Sequence, residues 1–350
     1  MSDSTNKINL CVCQPSMEGY GIPLPIESKV SGKEYINYGE DNLFPQMIDN
    51  LVDDCSTLGT VVSMVSTYIT GAGVDNDKEI NKEGMLLSEL LEKVVYDYIK
   101  QGAFAVQLLR NPYGELVSIN YVPVANCRLD ENGDYVFIAN KWEKYTRNIK
   151  RYDRWKNGET KPNTIMYVKD TKCRGTYGSP LWKSALRDAL TLVEASKSNY
   201  NSIINNFQPN TLISFNQGIP DEQTKDDMEK AILNKYCGSD GSKILLTWSD
   251  SQDTAPTVQS FNSEDYTAKY QAVMETSRQN ILCSMRVSEQ LVGISSQATG
   301  FNSLEYENSY KLLYATQIRP MQDFIEKQFR KLNVNFKFQE FKITFADATL

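Results

Sequence analysis

The stretch YGSPLWKSALRDALTLVEASKSNYNSIINNFQP, Tyr177 to Pro209, decides how the rest of the chain is read. Gly178-Ser-Pro180 is a turn signal. After it Leu181, Ala185, Leu186, Ala189, Leu192, Val193, Tyr200, Ile203 and Ile204 recur at helical spacing as far as Phe207. One helix over 181–207 is predicted, and at about 1.5 Å per residue it spans roughly 40 Å.

Downstream of this helix, 208–262 breaks into short pieces. These are a strand at Thr211 to Phe215, a helix at Pro220 to Tyr236, a Gly238-Ser-Asp-Gly241 turn and a strand at Ile244 to Trp248. A second long helix follows from Glu264 to Arg286, with Ser263 as its cap and Glu264 and Asp265 in its first turn. The polar, glycine-punctuated SEQLVGISSQATGFN at 288–302 is predicted as a flexible loop. A third long helix then runs from Ser303 to Leu332, with Pro320 well inside it. Proline removes a ladder hydrogen bond and clashes with the preceding turn, so a kink is expected near Gln317 to Pro320. Val334 to Phe345 alternates as a strand or hairpin arm.

Upstream, residues 1 to about 40 read as an extended arm rich in proline and glycine. Helices follow from Asp41, with Asp41 and Asn42 as caps, then over Leu58 to Thr70 and Leu87 to Gln101; Gly71 and Gly102 are the stop signals of the last two. The period then changes to two. Strands are predicted at Ala103 to Leu109, Val117 to Val122, Asn126 to Leu129, Tyr135 to Ala139 and Ile165 to Val168, and the fold class is α+β.

Composition narrows the function. The 350 residues are 41% hydrophobic and contain no histidine, which removes serine-histidine and cysteine-histidine catalysis. Seven scattered cysteines do not form a metal cage and are expected to be free thiols. No run approaches the about 20 apolar residues of a membrane span, and the start MSDSTNKINL lacks a signal-peptide layout, so an intracellular product is expected. The formal net charge of −7 argues against gripping nucleic acid by blanket phosphate neutralisation. Gly238-Ser-Asp-Gly241-Ser-Lys243 fails as a phosphate loop, because the glycine spacing is wrong and Ile244 stands where a hydroxyl is required. Asp53 and Asp54 carry little weight as a magnesium site. No catalytic, cofactor-binding or metal-binding residue is assigned, and no enzyme is expected.

The order of long helix, small α/β insertion, long helix, loop and long kinked helix resembles the portal protein family of tailed phages. Tyr177-Gly-Ser-Pro-Leu181 opening a long helix that ends in Asn205-Asn-Phe-Gln-Pro209 is similar to the family's stem. Lys243-Ile-Leu-Leu246 before an acid-started helix, and Ile318-Arg-Pro320 at the kink, are similar too. The resemblance covers about 35–332. It implies an arm at 1–34, a wing at 35–178, stem helices at 179–207 and 263–287, a clip at 208–262, a channel loop at 288–302, a kinked wing helix at 303–332 and a minimal crown at 333–350.

The same resemblance implies a ring, commonly of twelve subunits, at one capsid vertex of the virion, assembled in the host cytoplasm. Double-stranded DNA passes through it without sequence readout during packaging and ejection. Implied partners are the large terminase subunit, a head-tail adaptor, the major capsid protein and, during assembly, a scaffold; no membrane is involved. Lys269, Arg278, Ser295, Ser296, Gln297 and Thr299 are the candidates for facing the channel, and Asp221, Glu222, Asp226, Asp227 and Glu229 for partner docking at the clip. Each set has a plainer reading. Charges on long helices are mostly solvated or paired, the loop is a helix connection, and an acidic run is the wet face of a short helix. An adaptor or another virion ring component is the alternative function.

Overall fold

The computed structural model describes residues 10–12, 25–143, 146, 148–204, 211–215, 244–248, 264–293 and 303–341. The chain divides into two compact units, Met1–Ile22 with Thr191–Glu275, and Pro23–Leu190 with Thr276–Leu350. In the smaller, β1 (Leu10–Val12) belongs to the N-terminal arm. In the larger, β2 (Glu27–Lys29) and β3 (Ile36–Tyr38) pair antiparallel and lead into three helices, α1 (Phe44–Asp54), α2 (Ser56–Thr70) and α3 (Leu87–Gln101).

The start of α1 differs from the sequence expectation. No side chain caps it. Asp41 accepts only the Leu43 N–H, at 2.9 Å. Asn42 turns left-handed (φ 66°) and its Oδ1 accepts from the Tyr38 N–H and Arg128 Nε, so its carbonyl oxygen is spent on tertiary contacts. By contrast α3 keeps its predicted limits, and Leu90, Leu91, Val94, Val95 and Tyr98 are all buried, as an apolar face at helical spacing demands.

The sheet that follows contains β4 (Ala103–Arg110), β5 (Leu116–Val122), β6 (Cys127–Leu129), β7 (Tyr135–Ile138), β8 (Lys150–Arg154) and β9 (Asn163–Lys169), in the spatial order β5-β4-β9-β8-β7-β6. Neighbours are antiparallel except β8 and β9. Sequence periodicity misses β8, because Lys150-Arg-Tyr-Asp-Arg154 has no apolar alternation. It is held instead by polar and cation–π contacts: the Arg151 guanidinium lies 3.6 Å from the Tyr135 ring centre, and Lys161 reaches Asp153 at 2.9 Å.

After β9 the chain makes one 3₁₀ turn at Lys183–Ala185 and then α4 (Leu186–Ile204), so the first long helix begins five residues later than the sequence suggests. Pro180 and the fully buried Trp182 occupy the bend. In the smaller unit β10 (Thr211–Phe215) and β11 (Ile244–Trp248) pair in parallel, and β1 adds antiparallel to the other edge of β11. The expected helix at 220–236 and turn at 238–241 lie outside the described residues. The second long helix is α5 (Glu264–Ser284); its proposed cap Ser263 also lies outside.

The third long helix is divided. Between α6 (Ser303–Leu313) and α7 (Arg319–Arg330) lies a single π-helical segment, Tyr314–Ile318. Pro320 has no N–H for the carbonyl of Thr316 and its ring would crowd it. A widened turn just ahead of the proline relieves both problems, which accounts for the π segment at this point. Beyond α7, Val334, Phe336 and Phe338 alternate inward. The run lies antiparallel to 72–75, with Ala72 N–H donating to the Gln339 carbonyl (2.8 Å) and Gln339 N–H to that of Gly73 (2.9 Å).

The larger unit's core joins α2, α3, β4 and α7 through Val61, Val65, Leu90, Val94, Phe104, Ile325 and Phe329. It also encloses charge. Arg128 is wholly buried, and its donors reach the carbonyls of Asn42, Ala125 and Cys127 and the amide oxygens of Asn42 and Gln46, with Trp142 4.7 Å away. Among the described residues no carboxylate joins it; five neutral oxygens stand in for a counter-ion. Arg128→Met should therefore destabilise the protein by at least about 3 kcal/mol in urea unfolding. Arg128→Lys should fail to rescue it, since three donors on one nitrogen cannot serve that fork.

Asp97 is the opposite case. Burial pushes its carboxyl up to about 6, against the Val124 N–H (3.0 Å), the Tyr121 hydroxyl (2.9 Å) and the Lys100 ammonium (3.9 Å), which favour the charged form. A raised carboxyl makes the folded state bind more protons, so this group's contribution declines as pH rises from about 4 to about 6. Asp97→Asn should gain about 3 kcal/mol relative to the parent over that interval, read as a urea midpoint that falls with pH in the parent and not in the variant.

Candidate functional site

The second long helix and the segment after it carry the channel candidates singled out from sequence, Lys269, Arg278, Ser295, Ser296, Gln297 and Thr299. Within the smaller unit, α4 and α5 are tied by the Tyr270 hydroxyl donating to the Ala195 carbonyl, and Lys197 pairs with Glu194 at 3.1 Å. Among the described residues there, two large side chains stay in solvent, Tyr200 (64% exposed) and Val273 (51%). Within the larger unit Asn280 donates to Asp188 at 2.9 Å, and Ile281, Leu282 and Met285 are buried. Ordinary core packing thus accounts for the last turns of α5 and does not account for Val273.

Arg278 is half-buried and engaged with its surroundings, whereas Lys183, Arg187 and Arg286 are exposed. Lys269 lies on α5, and its side chain falls outside the described residues, as do Ser295, Ser296, Gln297 and Thr299 and the acidic set Asp221, Glu222, Asp226, Asp227 and Glu229. Of the predicted loop at 288–302, residues 288–293 are described. Glu289–Val292 forms a 3₁₀ turn with Leu291 buried, and the Gln290 amide donates to Glu305 at 2.8 Å.

The geometry brings one unforeseen residue to the centre. Gln317, in the π segment, is buried and its amide donates at 2.8 Å to the carbonyl of Met285. That carbonyl follows the last residue of α5, where Arg286 turns left-handed (φ 52°) and leaves it without a helical partner. Pro320 announced an interruption in the sequence, but only the wider π turn fixes which side chain swings toward α5. Beside this joint is an open cleft of about 280 Å³, walled by Leu181, Met285, Pro320, Met321 and the stacked pair Tyr98 and Phe324, with Lys172, Arg286, Thr171 and Thr316 around it. Burial, then the nearby Asp170, pushes the Tyr98 phenol up, so it stays a neutral donor. Among the described residues no group of acidic, cysteine or histidine side chains is placed to hold a metal ion, and no helix is long and apolar enough to cross a membrane.

Comparison with known proteins adds the family. The profile described as phage portal protein matches residues 81–349. No curated protein sequence matches the chain. Among solved structures, a chain from the neck of an empty GTA particle computed with C6 symmetry superposes with a TM-score of 0.55 at 11% identity, covering 85% of each chain. One from the neck of a native GTA particle computed with C12 symmetry gives 0.53 at 13%, covering 84% of each. A third, from the virion of a native gene transfer agent particle, gives 0.52 at 11%, over 85% of this chain and 84% of that one. These likenesses are of fold, and they agree with the α+β class.

The Gln317 contact is open to direct test. Gln317→Leu keeps the bulk and removes the donor, leaving a buried carbonyl unpaired at the end of α5. A loss of about 1–3 kcal/mol in denaturant unfolding is expected.

Proposed function

The chain belongs to the phage portal protein family, and we propose that it forms the portal ring of a tailed-phage virion: about twelve copies at one capsid vertex, conducting DNA in during packaging and out during ejection. The observation that carries this reading is the family match across 81–349, which spans the two long helices and the strands between them. The likeness in fold to chains of particle necks computed with C6 and C12 symmetry supports a cyclic assembly, and twelve is the number proposed. The family is structural, and no catalytic role is part of the proposal.

In this reading α4 and α5 are the stem, 208–262 the clip and 288–302 the loop nearest the duplex. Tyr200 and Val273, apolar and exposed in one subunit, are then covered by neighbours. Lys269 and Arg278 touch phosphates weakly, while Ser295, Ser296, Gln297 and Thr299 offer small hydrogen-bonding groups. An acidic chain suits a wall past which DNA must slide, because a basic lining would hold it. The acidic clip residues Asp221, Glu222, Asp226, Asp227 and Glu229 are the proposed platform for the terminase and the head-tail adaptor. The major capsid protein surrounds the ring, and a scaffold assists its assembly in the host cytoplasm.

Electron microscopy of the purified protein with unsupervised class averaging tests this. Closed rings with an axial hole and about twelve subunits are expected, since head-to-tail contacts that close make cyclic symmetry. A particle in which this chain lies below the vertex, between head and tail, would instead assign it to the adaptor.

A further inference from the structure

The geometry points to a knob-and-hole contact between adjacent copies of this chain, in which Tyr113 at the β4–β5 hairpin tip of one copy enters the cleft beside Gln317 of the next. This rests on the ring reading and specifies a part of it that the family match leaves open.

Tyr113 is 90% exposed, the most exposed of the large apolar side chains identified on the surface. Its backbone is nonetheless tightly fixed. Asn111 Oδ1 accepts from the N–H groups of Tyr113 (3.0 Å) and Glu115 (2.9 Å), Gly114 N–H donates to the Asn111 carbonyl (2.9 Å), and Arg110 holds the Gly114 carbonyl (3.0 Å). A rigid turn presenting a bare aromatic ring loses little conformational freedom on docking, and tyrosine is a favoured anchor residue at interfaces.

The cleft suits such a guest. At about 280 Å³ it falls just below the roughly 300–1,000 Å³ of small-molecule sites, which favours one large side chain over a cofactor-sized ligand. Pro320, Met321, Met285 and the Tyr98–Phe324 pair offer apolar and aromatic surface, and Thr171 and Thr316 offer hydroxyls to the incoming phenol. Charge agrees as well. Lys172 and Arg286 have no ion-pair partner among the described residues, and Glu115 stands exposed two positions from the tyrosine.

Position makes the occupant another copy. Asp170 to Lys172 line the cleft at the Ala103 end of β4, where the Asp170 N–H bonds the Gly102 carbonyl, and Tyr113 follows the Arg110 end. Eight strand residues separate the two ends by about 25 Å, so a chain cannot fill its own cleft. Knob and hole at opposite ends of one rigid strand are the two unlike patches that head-to-tail association needs.

The test uses the full chain. Tyr113→Ala should leave the melting temperature unchanged and weaken subunit association by roughly 30-fold, the equilibrium equivalent of losing one interface anchor, read by sedimentation. Under mild oxidation, Tyr113→Cys combined with Thr171→Cys should give a disulfide joining positions 113 and 171 of different chains, identified by mass spectrometry and absent from either single variant. Tyr113→Ala rings as stable as those of the parent, together with no such disulfide in the double variant, overturn the contact and leave the portal reading intact. A parent chain that stays monomeric in both sedimentation and microscopy overturns the contact, because the purified chain then does not associate through it.

Discussion

The backbone of Ser179 passes so close to Gly102 that a Cβ there would lie 1.9 Å from its carbonyl oxygen, and one on Gly178 would lie 2.6 Å from the carbonyl of Gly102. Two glycines without side chains are therefore what let the segment opening the first long helix cross the end of α3. Everything nearby is organised around that crossing. Gly102 turns left-handed (φ 70°) to end α3 and start β4, the Tyr38 hydroxyl donates to the Gly178 carbonyl, and Tyr177 stacks on Tyr38 with ring centres 4.5 Å apart. Glu27 accepts the N–H groups of Thr176 and Tyr177, which ties in β2 as well. The Tyr177-Gly-Ser-Pro motif that carries the family likeness is thus a steric requirement: it sets where α4 departs.

A second theme is that the joints between helices are polar. Gln101 donates to the Pro45 carbonyl, Gln322 to that of Ile69 and Gln317 to that of Met285, each from a buried amide. Apolar surfaces slide past one another at small cost, whereas a buried carbonyl has one satisfactory donor position. Helices joined this way have a defined register within the chain. Arg128, surrounded by neutral oxygens, does the same for β6 and the start of α1.

Much of this was legible in the sequence, and the boundary of legibility is physical. Local periodicity located α3, α5 and most strands, because burial on one face writes directly into residue order. It failed at β8, whose strand is held by arginine–aromatic and ion-pair contacts with residues far along the chain. It failed at Asn42, which looks like a cap and serves Arg128, 86 positions away. Pro320 signalled an interruption, yet neither the π form nor the inward turn of Gln317 follows from local preference. Of the candidate site, the long helices and their order were readable; the cleft was not, since its walls come from four separate stretches.

The run at 337–339 has a bearing on biosynthesis. It completes the edge at 72–75, yet Lys337 leaves the ribosome 262 residues after Asp75. At about 5–20 residues per second, that edge waits roughly 13–50 s for its partner. The nascent chain therefore carries unpaired backbone at 72–75 and an uncovered face on α2 through most of translation. A cell making many copies at once must keep these half-finished chains apart, so the timing of release, as much as intrinsic stability, governs how many of them finish folding.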